Sequence, residues 1–517
     1  MTTTWGVTAP MPTHADVDLP VRIDRTSREP VHRQLTEALR LAIRDGALPR
    51  GARLPSTRAL AATLGIARNV ALVAFDELYA EGYVEGRAGS GTFVSHDLPA
   101  TPRNATRVSA PSSRWTERPV AASLDPPDPP ESISFRLGVP GTSPLTPEVW
   151  RRLWRDVADT DPPKGYASPA GEARLRTAVA AYLGRSRGVT CGAGDLVITT
   201  GAAQALDLLV QATLEPGEAA AIEEPGYPTA RRILQLRGAR LVPVPVDDDG
   251  LRVELLPARP DAPPLIYVTP SHQYPIGVRM SVGRRLALLD WAAANDALVV
   301  EDDYDGEFRF GAPPLPALAG LDREGRVAYV GTFSKILVPG LRVGYLLAPE
   351  PLRSRVLGLK RLTDYHTPWP DQQALIGFCE RGDLERHIRR MRRYYAQNRA
   401  VLTEVLAPLG ELAGLRGLEA GLHAFLQLRN DLDPERVAAR CRDLGVLVST
   451  LADYFAGPPD RRGLLLGYGG LDPQDVRNGA MVVMQAVREE ADNRAGPSVR
   501  RYATVSQPSE PIPICDE

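Results

Sequence analysis

The side chain with the most chemistry to offer in this sequence is the amine of Lys335. It lies in Val330-Gly331-Thr332-Phe333-Ser334-Lys335-Ile336-Leu337-Val338-Pro339-Gly340-Leu341-Arg342-Val343-Gly344-Tyr345. An apolar run, Val327 to Val330, delivers two hydroxyls and one amine into a turn, and a second apolar run leaves from Arg342. That places the amine at a strand end, where α/β sheets bind cofactors. An amine desolvated enough to be partly neutral forms a Schiff base with an aldehyde cofactor such as pyridoxal phosphate. Thr332, Ser334 and Arg342 would then offer two hydroxyls and a guanidinium to the cofactor phosphate. Only three of the 61 Lys and Arg residues are lysines, Lys164, Lys335 and Lys360, so a plain surface cation at 335 would ordinarily be an arginine.

Other polar residues sit at the ends of apolar runs. Thr200-Gly201-Ala202-Ala203-Gln204 follows one run and opens a helix, so backbone N–H groups and the helix dipole face an anion there. Asp302, in Val299-Val300-Glu301-Asp302-Asp303-Tyr304, ends another. A carboxylate in that place can pair with a protonated pyridine nitrogen, and Tyr304 can donate to the ring's phenolic oxygen. A salt-bridged structural aspartate is the competing reading. Tyr227 offers a flat face for stacking, and His272-Gln273 offers polar contacts at a further strand end. Taken singly, a tyrosine or histidine in such a place favours ordinary packing.

The elements that must carry these residues alternate from Ile133 onward. Leu196–Thr199, Ala219–Ile222, Leu241–Val246, Leu265–Val268, Leu298–Glu301, Val327–Val330 and Val343–Leu347 are short apolar runs, several with amphipathic helical segments between them. Such alternation predicts an α/β fold with a mostly parallel sheet and helices on both faces. A helix-rich span from Asp371 to Leu406, strands near Leu422–Leu428 and Leu464–Tyr468, and a helix from Asp472 to Glu489 predict a smaller α+β lobe.

The front of the chain has a different character. Val31, Leu35, Leu39, Ala42 and Ile43 recur at helical spacing, and Asp45-Gly46 closes that helix. Ser56 is placed to cap a second helix with Thr57, Arg58, Leu60, Ala61 and Leu64. Gly65-Ile66 turns into a third, Arg68 to Glu81, with Val70, Val73, Ala74 and Leu78 expected inward. Two short helices joined at a glycine turn read as helix-turn-helix, and Tyr83 to Val94 reads as a hairpin wing. From Gly46 to Phe75 there are four arginines, Arg50, Arg53, Arg58 and Arg68, and no acidic residue. This local basic face suits DNA phosphates. Arg68 and Asn69 open the helix that reaches base edges, Ser56, Thr57 and Arg58 suit backbone contact, and Arg87, Gly89 and Gly91 bring the wing close to the duplex. A small helical domain that binds another protein is the alternative.

Composition bounds the rest. At 517 residues with 43% hydrophobic content the chain holds several domains and large cores. A net charge of -2 draws it neither to nucleic acid nor to membrane as a whole. Cys191, Cys379, Cys441 and Cys515 are far apart and form no C-x-x-C, which points to reduced thiols in a cytoplasm and to no metal site. The expected division is 21–95 for the DNA-binding head, 96–131 for a Pro/Ser/Ala-rich linker, 132–493 for the cofactor-binding part and 494–517 for a disordered tail.

Two family resemblances follow from these motifs. Gly46 to Arg58, Gly65 to Val70 and Gly89 to Val94 resemble the GntR-family winged helix-turn-helix, which implies a double-stranded DNA operator and places Arg58, Arg68, Asn69 and Gly89 on DNA-contacting positions. Phe135 to Glu489 resembles fold-type I pyridoxal-phosphate aminotransferases, and the combination resembles the MocR/GabR regulators. That resemblance implies Lys335 as the lysine that bonds the cofactor, Asp302 as the pyridine partner and Tyr304 as the phenolic-oxygen contact. It also implies Thr332, Ser334, Arg342 and Gly201 to Gln204 as the phosphate cup, Tyr227 as the stacking ring, and Tyr166 as a contact to the neighbouring subunit's phosphate in a head-to-tail homodimer. The implied effector is pyridoxal phosphate itself, an amine or an amino acid. One departure stands out. Leu465 occupies the place where amino-acid-transforming relatives carry an arginine for the substrate carboxylate, with Arg461 and Arg462 just before the strand, and His272-Gln273-Tyr274-Pro275 replaces an Asn-Pro turn. An active aminotransferase carrying a DNA-binding head is the second reading.

Overall fold

The computed structural model describes residues 21–27, 29–87, 89–98, 128–311 and 316–495. Most of the expected linker, the expected tail beyond 495 and Cys515 therefore lie outside the described residues. The chain divides into two compact units, 1–120 and 121–517. The last described helix, Pro473–Ala495, runs two residues into the expected tail.

In the first unit three helices, Val31–Arg44, Thr57–Leu64 and Arg68–Ala80, enclose a core in which Leu35, Leu39, Leu60, Ala71 and Leu78 are wholly buried. The Ser56 hydroxyl caps the second helix by accepting from the Ala59 N–H at 3.2 Å. Gly65 closes it with φ of +62°, a backbone state that other residues resist, so the chain can turn directly into the third helix. That helix is rotated by about one position from expectation. Ala71, Ala74, Phe75 and Leu78 point inward, while Val70 and Val73 are only half-buried. Val84–Arg87 pairs antiparallel with Gly91–Val94 to form the wing, and Arg53 bridges to Phe93 at its edge.

The second unit is built on an eight-stranded sheet. Its order is Leu196–Thr199, Gly344–Leu347, Val327–Thr332, Leu298–Asp303, Leu265–Val268, Ala219–Glu224, Arg240–Asp247 and Gly250–Leu251. Gly344–Leu347 runs antiparallel to both neighbours, and the last short strand is antiparallel to Arg240–Asp247. The other pairings, from Val327–Thr332 across to Arg240–Asp247, are parallel. Successive residues of the central strands face opposite layers. Tyr329 packs with Leu175, Val179 and Leu183 of the helix Ala173–Arg187, whereas Ala328 and Val330 pack with Leu206, Leu209 and Val210 of the helix Ala202–Thr213.

Three strands extend beyond their apolar runs, to Glu224, Asp303 and Thr332. The sheet thus carries polar side chains at one edge, where parallel strands end together. A smaller antiparallel sheet orders Ala413–Arg416, His423–Leu428, Gly463–Gly467 and Ser449–Thr450 under the helices Asp383–Leu406 and Pro473–Ala495. Ile133–Ser134 pairs with Val446–Leu447 rather than opening the large sheet. Among the described residues no helix is long and apolar enough to cross a membrane.

Candidate cofactor site and nucleic-acid interface

A cavity of about 260 Å³ lies at the polar edge of the large sheet, with Lys335, Asp302, Thr332, Ser334 and Arg342 in its wall. The strand Val327–Thr332 ends at the cavity, so the turn that follows presents Ser334 and Lys335 to it. Lys335 Nζ donates to the Gly138 carbonyl. Gly138 has φ of +73°, which other residues resist, and a Cβ on it would lie 3.0 Å from that nitrogen and crowd the lysine. Burial lowers the lysine pKa, helped by Arg342 and opposed by Asp305 and Asp302.

Asp302 and Asp303 are adjacent and meet opposite fates because strand side chains alternate. Asp303 turns to the Tyr329 layer, where it accepts from the Tyr329 hydroxyl at 2.8 Å and pairs with Arg187 at 3.0 Å. Asp302 turns to the cavity. Its Oδ2 accepts from the Tyr267 hydroxyl at 2.7 Å, and its buried Oδ1 has no partner. Burial raises the Asp302 pKa to about 6, against the lowering effect of the Tyr267 bond.

The other end of the cavity suits an anion. Ala202 and Ala203 open a twelve-residue helix there, and Thr332, Ser334 and Arg342 stand beside them. The buried Ser334 Oγ has no partner. Gly201 has φ of +111°, and a Cβ on it would sit 2.8 Å from the Arg342 guanidinium, so glycine is what allows Arg342 to lie across the helix start. An unpartnered carboxylate oxygen at one end, an unpartnered hydroxyl beside a guanidinium at the other and an amine between them fit the pyridine nitrogen, phosphate and aldehyde of pyridoxal phosphate. Tyr227 and Tyr304 complete the wall.

Several residues singled out from the sequence do not line this cavity. Gln204 spends its amide on structure: it donates to Asp364 at 2.7 Å and accepts from the Thr200 N–H at 2.9 Å and Lys360 at 3.3 Å. Gln273 donates to the Pro225 and Tyr274 carbonyls, each at 2.7 Å, which ties two strand-end loops together. His272 lies behind Tyr304, with Nδ1 2.9 Å from Asp305. Gly201 acts through its backbone shape. Tyr166 is 82% exposed, with its ring 4.9 Å from that of Tyr365. Conversely, Gly138, Tyr267, Thr269 and Tyr274 line the cavity and were not singled out for it. Tyr267 sits inside an apolar strand, where a sequence reader sees only a core aromatic.

Leu465 is wholly buried among Val246, Phe425 and Leu451. Arg461 points elsewhere, donating to the Val246 carbonyl at 2.6 Å and pairing with Asp460, and Arg462 is exposed. Neither stands in for a carboxylate-binding arginine in the cavity.

In the first unit Ser56, Arg58, Arg68, Asn69 and Gly89 are exposed and Thr57 is half-exposed. Arg58 and Arg68 form no ion pair among the described residues. Arg87 is held at home, 2.8 Å from Glu85 and 4.7 Å above the Phe93 ring. It must give up the Glu85 pairing to reach a phosphate.

Comparison with known proteins agrees with this geometry. Residues 32–94 match the family model of bacterial regulatory proteins, gntR family, and residues 136–451 match that of aminotransferase class I and II. The chain is 38% identical over 466 residues to the probable rhizopine catabolism regulatory protein MocR of Rhizobium meliloti, covering 88% of this chain and 94% of that protein. It is 35% identical over 461 residues to the pyridoxine biosynthesis transcriptional regulator PdxR of Corynebacterium glutamicum, covering 89% and 96%. Among solved structures, the kynurenine aminotransferase of Pyrococcus horikoshii is similar with a TM-score of 0.65 and 29% identity, over 70% of this chain and 91% of that one. A GntR-type DNA-binding head and a pyridoxal-phosphate-binding aminotransferase fold in one polypeptide place this chain in the MocR/GabR family of transcriptional regulators.

Proposed function

We propose that this regulator binds its operator through Arg58, Arg68, Asn69 and the wing, and that its occupancy responds to pyridoxal phosphate or to an amine that reaches Lys335. The single observation that carries this reading is the half-buried Lys335 amine, set between an unpartnered Asp302 oxygen and the Ser334–Arg342 cup. Bound there, pyridoxal phosphate supplies an aldehyde for amines and an electron-withdrawing ring. Asp302 would accept a hydrogen bond from the ring nitrogen, Tyr227 would face the ring, and Thr332, Ser334, Arg342 and the N–H groups of the Ala202 helix would hold the phosphate. Lys335, whose pKa burial lowers, supplies the nucleophilic nitrogen.

Tyr166, Leu362 and Tyr365 are exposed aromatic and aliphatic side chains on one unit, at 82%, 85% and 36%. This supports a homodimer in which Tyr166 meets the partner's phosphate. Leu465 argues against sustained transamination of amino acids, because a buried leucine cannot hold a carboxylate. Turnover at the usual enzyme median, on the order of 10 per second, would favour the enzyme reading instead.

Hydride reduction of the cofactor-loaded protein followed by peptide mass mapping tests the assignment. The added mass is expected on the peptide containing Lys335, with loss of the visible cofactor absorbance in Lys335→Ala. A labelled peptide elsewhere, or an unchanged spectrum in Lys335→Ala, overturns it. Footprinting with and without each amine that changes the spectrum then tests the regulatory half.

A further inference from the structure

Behind Tyr304 lies a buried group of polar side chains that no role assigned so far uses. His272 and Asp305 are each 1% exposed in their side chains, and His272 Nδ1 is 2.9 Å from Asp305 Oδ2. The Tyr304 hydroxyl, which lines the cofactor cavity, lies 3.1 Å from the same Nδ1 and donates to the His272 carbonyl at 3.0 Å. A Cβ on Gly421 would fall 2.1 Å from His272 Cε1 and 2.5 Å from Asp305 Oδ2, so the pair is packed without slack. Other groups around it are the Gly417 carbonyl, 3.4 Å from His272 Nε2, His423, with its ring 4.7 Å from that of His272, Tyr274, whose ring is 5.6 Å from that of Tyr304, and Lys335, Asp302, Tyr395 and Tyr468, which all feel the charge of Asp305. His272, Asp305 and His423 are of metal-ligating type. The cofactor cavity does not reach them, and Asp305 is already engaged by His272.

One nitrogen therefore faces two groups with opposite needs. An ionised carboxylate only accepts, so Asp305 selects the tautomer with the proton on Nδ1. A protonated Nδ1 cannot accept from Tyr304. Its N–H points at Asp305 and, as a second acceptor, at the Tyr304 oxygen. The hydroxyl proton of Tyr304 is left with two places to go, the His272 carbonyl and the cavity. Without the carboxylate, Nδ1 would carry a lone pair and would capture that proton.

Resting on the cofactor reading above, we propose that Asp305 is a positioning residue: by fixing the Nδ1–H tautomer of His272 it keeps the Tyr304 hydroxyl available as a hydrogen-bond donor to the phenolic oxygen of pyridoxal phosphate. His272 thus acts on the cofactor through Tyr304 and touches it at no point. The His272 tautomer and the Lys335 assignment are judged separately, the latter by hydride trapping.

Two measurements on the cofactor-loaded full chain test it. Nitrogen NMR of the ¹⁵N-histidine-labelled wild type, with His272 assigned by its loss in His272→Gln, reports the tautomer directly. Nδ1–H is expected, and Nε2–H with a bare Nδ1 overturns the proposal whatever Asp305→Asn does. The second is a pH titration of the visible cofactor absorbance. Losing a donor to an oxygen that carries negative charge disfavours the deprotonated form, so Asp305→Asn is expected to move the midpoint up by about one pH unit. Tyr304→Phe should move it by a similar amount, and the double variant no further than Tyr304→Phe alone. Additive shifts, or an unmoved midpoint in a folded Asp305→Asn protein, overturn the assignment. A merely structural role would lower the melting temperature and leave the midpoint and its non-additivity untouched.

Discussion

At the scale of single residues, the cofactor cavity holds groups in states they would not adopt in water. Asp302 is the clearest. Its pKa is raised to about 6 by burial, so ionising it in the cofactor-free protein costs folding free energy. The folded pKa lies above the unfolded value, so the stability linked to protonated Asp302 is complete below about pH 4 and is lost as pH rises through about 6. Asp302→Asn, which keeps the shape without the charge, should therefore make the cofactor-free protein more stable at pH 8, by an amount on the order of 2 kcal/mol. The gain should shrink as pH falls through about 6 and vanish below about pH 4, and melting curves across this range check it. Cofactor affinity should fall in the same variant, since the pyridine nitrogen loses its ionic partner. A variant less stable than wild type at pH 8 would mean that Tyr267, and not burial, governs this carboxylate.

Elements set limits that residues alone do not. Leu465 lies in the strand Gly463–Gly467, wholly buried against Val246, Phe425 and Leu451. Placing an arginine there puts an unpaired charge into an apolar cluster. Leu465→Arg should cost at least about 3 kcal/mol of stability and should not restore a carboxylate clamp. Denaturant unfolding monitored by circular dichroism measures the cost, and an unchanged midpoint would show that the guanidinium escapes to the cavity. The turn before the helix Ala202–Thr213 makes the complementary case. Gly201→Ala both strains a positive φ and pushes on Arg342, and should weaken cofactor binding by tenfold or more while the melting temperature of the first unit stays put.

The whole molecule consists of two units with separate hydrophobic cores, Leu35, Leu39 and Leu78 in one and the clusters around Tyr329 and Leu426 in the other. Only the second contains the cofactor cavity. Saturating pyridoxal phosphate should therefore raise the unfolding temperature of the larger unit alone, with a stabilisation of about 2.7 kcal/mol at a hundredfold excess over Kd. Scanning calorimetry separates the two transitions, and an equal rise in both would reveal coupling between the units. In the first unit, Arg68→Ala should weaken operator binding by about 1–3 kcal/mol and relax base preference. Arg87→Ala should cost less, since Arg87 must first leave Glu85. Titrations at fixed salt on matched and mismatched duplexes check both.

Much of this was legible in the sequence because it is local. Apolar runs marked the seven main strands to within about two residues at each end, Ser56 and Gly65 announced their helix ends, and the order of Gly201, Asp302 and Lys335 carried the family resemblance. Runs of apolar residues also end where the site begins, so the strand extensions to Glu224, Asp303 and Thr332 went unread. Tertiary structure alone decided who meets whom. Asp302 finds Tyr267 across 35 residues and Lys335 finds the Gly138 carbonyl across 197. Such partners are fixed by the order in which strands join the sheet, which no local propensity encodes. The same order put His272 behind Tyr304 rather than in the cavity, turned Gln204 and Gln273 to the support of loops, and sealed Leu465 in an apolar cluster. The physical reason is that residue type and spacing determine what a side chain can do, whereas the dielectric and the neighbours that choose among those possibilities exist only once distant strands are packed together.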